Sequence, residues 1–141
     1  MRDREDRIRT TAQKDVEVIA SFLLALNRAD AGGMGALFRE DALVNDQLRD
    51  FWGRPAIEAW IAREVIGDNL RIEVMQMFQH YRVTTVTGAI TGAFDSTGLP
   101  DPLILNLHFS IFDGKIARLF ILLDRQIDAF PDLRSRALKA I

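Results

Sequence analysis

The sequence predicts an α+β fold: three N-terminal helices packed on a curved, mainly antiparallel sheet in the shape of a cone. Three observations predict it. Helical periodicity fills the first half of the 141 residues and stops near Ile66. From Leu70 onward the pattern alternates and is rich in β-branched residues. Gly88 and Gly92 inside the second extended run signal a bulge or sharp bend, which lets a sheet wrap around the helices. Helices first and strands afterwards is the segregation of an α+β protein rather than of interleaved βαβ units.

Residues 11–30 read as one amphipathic helix. Val16, Ile19, Leu23 and Leu26 recur at helical spacing, Phe22 and Leu24 widen the stripe, and Thr10 or Thr11 caps it. The glycines of ADAGGMG stop it. A short helix is expected over 34–39, burying Leu37 and Phe38, and then a short strand, DALVND. Pro55 suits the first turn of a third helix, where its missing N–H has no partner anyway. That helix runs to about Ile66 and buries Ile57, Trp60, Ile61 and Val65. The run LRIEVMQMF places Leu70, Ile72, Val74 and Phe78 on one face, and YRVTTVTGAITGAF is a second strand. DSTGLPDP is a loop. LILNLHFSIF and KIARLFILLD are two strands joined by Asp113-Gly114, a strong hairpin signal. The whole chain, 1–141, reads as one domain. Its core spans about 11–124, between a charged N-terminal extension (1–10) and a polar tail (125–141) with a short helix after Pro131.

Composition narrows the function classes. Apolar residues make up 48% and charged residues 27%, the balance of a packed globular chain. The net charge is −2, and no basic patch marks a nucleic-acid partner. No apolar run is long enough to span a membrane. There is no cysteine, which excludes thiolate chemistry and leans towards a cytoplasmic location. The two histidines, His80 and His108, both fall on strands without ligand spacing, so no metal and no cofactor are expected. AGGMG lacks the preceding strand and following Lys-Ser/Thr of a phosphate loop.

Four segments, FLLALNRAD, ALFREDALVND, GRPAIEAWI and the closing DGKI hairpin, together resemble the nuclear transport factor 2-like superfamily. Within it the chain looks most similar to the SnoaL-like, ketosteroid isomerase-like branch. The resemblance covers roughly residues 15–124. It implies a cone-shaped α+β fold, a homodimer and an apolar pocket. It also implies a general base at the end of the first short strand, the position of Asp46. The tyrosine and protonated aspartate that hold the enolate oxygen in ketosteroid isomerases fall on Phe22 and Leu107, neither of which donates a side-chain hydrogen bond. Steroid isomerisation by that machinery is therefore not expected. Cyclase-type members place a working aspartate near Asp124, a second catalytic candidate.

Each candidate also has a plain structural reading. Asp46 ends a strand, where aspartate commonly forms a turn; alternatively it is a carboxylate aimed into an aromatic pocket. Trp60 and Phe22 sit at helical spacing and read as core as readily as ligand contacts. Trp52, placed in a loop, is the better pocket wall. Phe78 and Leu107 complete the expected substrate-binding set. Leu103, Leu105, Leu107 and Phe109 form an apolar stripe, which turns Asn106, His108, Ser110 and Phe112 to the other face, towards solvent or a second subunit. Two functions stay open. One is an apolar small-molecule pocket in which Asp46 drives a cofactor-independent isomerase, dehydratase, hydrolase or polyketide cyclase reaction. The other is a non-catalytic dimerisation or partner-binding module with a filled cone.

Overall fold

A computed structural model describes residues 10–124. The expected N-terminal extension and the helix after Pro131 lie outside the described residues. Helix α1 (Thr11–Asn27) opens with a capping box: Gln13 N–H donates to Thr10 Oγ1, and Thr10 N–H donates to the Gln13 side chain. Ile19, Phe22, Leu23 and Leu26 are buried, whereas Leu24, expected on the same stripe, is exposed. A five-residue helix, α2 (Ala31–Gly35), is built from AGGMG itself, because Asp30 caps it by accepting from Gly33 N–H at 2.9 Å. It lies earlier than the expected 34–39 helix, and Phe38 instead begins a strand.

That strand, β1 (Phe38–Asp46), pairs antiparallel with β2 (Arg49–Trp52). The turn residues Gln47 and Leu48 have φ of 52° and 69°. Two positive φ angles in a two-residue hairpin turn match the twist of the flanking strands. Helix α3 (Arg54–Trp60) follows, with Pro55 in its first turn, and continues as a π-helix over Ile61–Ile66. Strands β3 (Arg71–His80), β4 (Val83–Thr91), β5 (Leu103–Phe112) and β6 (Lys115–Leu123) complete a six-stranded curved sheet in the order β2-β1-β6-β5-β4-β3. Among the described strands only the β1–β6 pair is parallel.

Register sorts the side chains. One row runs Met77, Val86, Leu107, Ile121, Asp46; the next runs Phe78, Thr85, His108, Phe120, Asn45. Adjacent rows point to opposite faces. The first faces the helices, where the ring of Phe22 meets Phe38 and Phe109 edge-on at 5.9 and 5.4 Å. Asn27 ties α1 to β3 in both directions: its amide donates to Ile72 O at 2.9 Å and accepts from Ile72 N–H at 2.8 Å.

The bulge sits on β3, not on the glycine strand. Met75 is the extra residue between the Val74–Gly88 and Gln76–Thr87 pairs. Gly88 is required there for a different reason. A Cβ on it would lie 2.6 Å from Ile72 Cγ1 and 3.0 Å from Glu73 O, so glycine is what lets β3 close down on β4.

A carboxylate–arginine–carboxylate site in a two-chambered cleft

Between the helices and the inner sheet face lies a cleft with two chambers. The outer one, about 290 Å³, has apolar walls from Leu70, Ile90, Leu103, Leu105 and Leu123. Its rim comes from the loop after β4, with Phe94 and Leu99. The inner one, about 60 Å³, is enclosed by Phe22, Leu26, Val65, Leu107 and Ile121. Asp46 and Trp60 border both. The apolar stripe of β5 therefore faces the cleft as its alternation implies.

Three polar side chains meet at the junction. Asp46 is the last residue of β1, and the tight turn after it brings Arg49 back beside it. The Asp46 Oδ2 atom accepts from the Trp60 indole N–H at 3.1 Å and from Arg49 Nη2 at 3.0 Å. Arg49 also grips Glu64 with both terminal nitrogens, at 2.7 and 3.1 Å. Glu64 reaches in from the π-helix, four residues beyond Trp60. The Arg49 guanidinium lies over the Phe51 ring at 5.5 Å, and Phe51 packs on Trp60 at 6.0 Å between centroids. Among the described residues, Asp46 Oδ1 has no hydrogen-bond donor, which leaves that oxygen for whatever enters the cleft.

Burial lifts the Asp46 carboxyl above its ordinary value of 3.8, and the nearby Glu64 charge adds to the lift. The Trp60 and Arg49 contacts favour the ionised form but do not outweigh desolvation. The Asp46 side chain keeps 17% exposure, so water still reaches it.

The expected residues divide. Asp46 and Trp60 stand together, and Phe22 and Leu107 line the inner chamber. Trp52 does not wall the cleft. It is 61% exposed and pairs with Leu43 on the opposite sheet face, because residues 49–52 form a strand rather than a loop. Phe78 is likewise outside, 48% exposed, because the Met75 bulge moves every later β3 side chain to the other face. Asp124 is not among the lining residues; it follows the last strand, and its N–H donates to Ile104 O at 2.9 Å. His108 Nδ1 sits 2.8 Å from Thr85 Oγ1 on the outer face, and burial lowers its pKa. Arg54 pairs with Glu40 and Glu58 at the start of α3. Arg49 and Glu64 are the site residues that sequence reasoning missed. Among the described residues no group of three or more His, Asp or Glu is placed to hold a metal.

No family model and no curated protein matches the chain in sequence. Solved structures do match it in shape. A candidate polyketide cyclase from Sinorhizobium meliloti superposes with a TM-score of 0.68 at 24% identity, over 75% of this chain and 94% of that one. A nuclear transport factor 2-like protein from Cytophaga hutchinsonii gives 0.64 at 13% identity, over 80% and 92%. SalBIII, an epoxide hydrolase/cyclase-like enzyme of pyran ring formation in the polyether salinomycin, gives 0.68 at 18% identity, over 82% and 94%. The fold is that of the nuclear transport factor 2-like proteins, in the form shared with polyketide cyclase-like and ketosteroid isomerase-like structures.

Proposed function

We propose that the protein takes an apolar small molecule into the cleft and moves a proton on it with Asp46 as general base, without a cofactor. One observation carries this reading. Asp46 has one oxygen held by two donors and the other free, at the junction of two apolar chambers, with its proton affinity raised by burial. A base whose affinity sits nearer neutrality both accepts and returns a proton. Arg49 and Glu64 support the cycle. When Asp46 takes up a proton it loses its charge, and the paired Glu64 still holds the guanidinium in place. Trp60 fixes the carboxylate orientation.

The reaction class is that of isomerases, dehydratases, hydrolases or polyketide cyclases, all of which can begin with such a transfer. The likeness to polyketide cyclase-like, ketosteroid isomerase-like and epoxide hydrolase/cyclase-like structures supports this class. Phe22 and Leu107 offer no oxyanion donor, which weighs against steroid-type isomerisation. The open outer chamber weighs against a filled, non-catalytic cone.

The test follows the Asp46 carboxyl carbon by NMR. Its midpoint should lie above the ordinary 3.8 and rise further in Trp60→Phe, which removes the indole donor to Oδ2. A midpoint at or below the ordinary value, indifferent to Trp60→Phe, would leave Asp46 a turn residue.

The outer sheet face supports the expected homodimer: Phe78, Val83, Phe120 and Leu122 are exposed there beside Asn106, His108 and Ser110. Light scattering at micromolar concentration should return twice the chain mass. The chain is taken as one domain with its core over about 11–124, and a cytoplasmic location is in keeping with the cysteine-free composition.

A further inference from the structure

We propose that the ligand of the cleft carries a positive charge: an apolar body with a protonated amine held at the mouth by Asp68 and Asp95. This rests on the small-molecule reading above and adds the sign of the ligand to it. The argument starts from the polar lining of the outer chamber. Among the described residues, apart from Gln47, Arg49 and the Trp60 indole, every polar side chain there is acidic: Asp46, Glu64, Asp68 and Asp95. Among the described residues Arg49 is the one cation in that lining, and its terminal nitrogens bond to Glu64 and Asp46. Its Nε donates to the Asp46 backbone carbonyl at 3.3 Å. Four of its five N–H groups are thereby used and its charge is answered by two carboxylates, so it is not an open anion clamp.

Asp68 and Asp95 have no cationic partner among the described residues. Asp68 comes from the turn after the π-helix and Asp95 from the loop after β4. The backbone draws the two segments together. Ala93 N–H donates to Asp68 O at 2.7 Å, and a Cβ on Gly92 would lie 2.8 Å from that same oxygen. Asp95 accepts from Thr97 N–H at 3.0 Å, and this bond holds its carboxyl below the ordinary range. It is ionised at neutral pH.

Among the described residues, a carboxylate or phosphate entering this chamber would meet unpaired negative charge and no cation without carboxylate partners. An alcohol or ketone would find apolar walls and a neutral welcome. A protonated amine would find two carboxylates at the rim, the Phe94 ring between them in sequence, and apolar walls for the rest of the molecule. With its head at the rim, the body would extend inward to the free oxygen of Asp46.

The experiment uses the full chain and three probes of one shape: 1-naphthylmethylamine, 1-naphthalenemethanol and 1-naphthoate. Calorimetry gives the affinities, and the Trp60 indole N–H shift reports entry into the cleft. The amine should bind about tenfold or more tighter than the naphthoate, with the alcohol between, since one exposed attraction is exchanged for a repulsion. The preference should shrink as salt is raised. In the Asp68→Asn/Asp95→Asn variant the three affinities should fall within about twofold of one another; asparagine at 95 can still accept from Thr97 N–H, which protects the loop. A naphthoate that binds as well as the amine, or a preference that survives the double substitution, overturns the charge assignment and leaves the pocket reading intact. An alcohol that binds nowhere near Trp60 overturns the pocket reading itself, and the charge assignment with it.

Discussion

Truncating Phe22 to alanine removes the ring that closes the inner chamber, and the structure sets the cost. Phe22 is 1% exposed, and its ring makes edge contacts with Phe38 and Phe109. Buried Phe→Ala changes cost about 3–5 kcal/mol, with the larger values where the site cannot collapse. Here collapse is hindered, because the space vacated joins an existing chamber of about 60 Å³. The expected loss is therefore about 4 kcal/mol, a large share of the stability of an ordinary domain. Trp52 is the control. It is a larger aromatic, but it is 61% exposed on the other sheet face, with Arg118 over its ring at 6.0 Å. Trp52→Ala should cost about 1 kcal/mol or less, the scale of one exposed cation–π contact plus strand propensity. Urea unfolding decides between them: the midpoint should fall steeply for Phe22→Ala and little for Trp52→Ala, with the slope unchanged in both. Equal losses, or the larger loss at Trp52, would refute the assignment of faces across the whole sheet.

Further expectations concern single contacts. Because the Asp46 pKa is raised in the folded state, its contribution is most favourable below the ordinary carboxylate value. It is lost as pH climbs from there through the raised folded value. Asp46→Asn should remove that slope, so the stability difference between wild type and variant should move in the variant's favour over the same window in urea titrations. Asn27→Ala strands the N–H and C=O of Ile72; a loss of about 2–3 kcal/mol is expected, and hydrogen exchange of the Ile72 amide should quicken. Gly88→Ala should cost about 1–3 kcal/mol from overpacking against Ile72, and Ile72→Val in the same chain should recover part of it.

Much of the fold is legible in the sequence, and the exceptions have local physical causes. Helix α1 and strand β5 stand out because their apolar residues keep one period throughout. The β5–β6 hairpin stands out because Asp113-Gly114 readily takes positive φ, here 53° and 73°. The β1–β2 hairpin has the same kind of turn but makes it from Gln47 and Leu48, residues with no preference for it. Trp52 therefore reads as loop and is assigned to the wrong face. The β3 bulge is silent for a similar reason. Methionine at position 75 continues the apolar run, and nothing local says that it is skipped. Asp46 is found by its aligned position in the family resemblance, and Trp60 as an aromatic at helical spacing close to it in sequence. Arg49 and Glu64 are not, since only the hairpin and the π-helix bring those two charges together.

The parallel pairing of β1 with β6 has a consequence for how the protein is made. The strand that ends in Asp46 forms its second edge with residues about seventy positions later in the chain, where Asp46 stands opposite Ile121 and Gln47 N–H donates to Ile121 O. Until β6 has left the ribosome, β1 and β2 are a two-stranded hairpin covered by helix α3, with the second edge of β1 open. The contacts among Asp46, Arg49 and Trp60 are local, but the pairing that sets Asp46 opposite Ile121 is completed only late in synthesis. Closing so long a loop before any contact repays it is slow, and the nascent chain carries an open apolar sheet edge for as long as that takes. Chains cut short before Lys115 would lose not a peripheral strand but β6, the one that joins the β2–β1 pair to β5, β4 and β3.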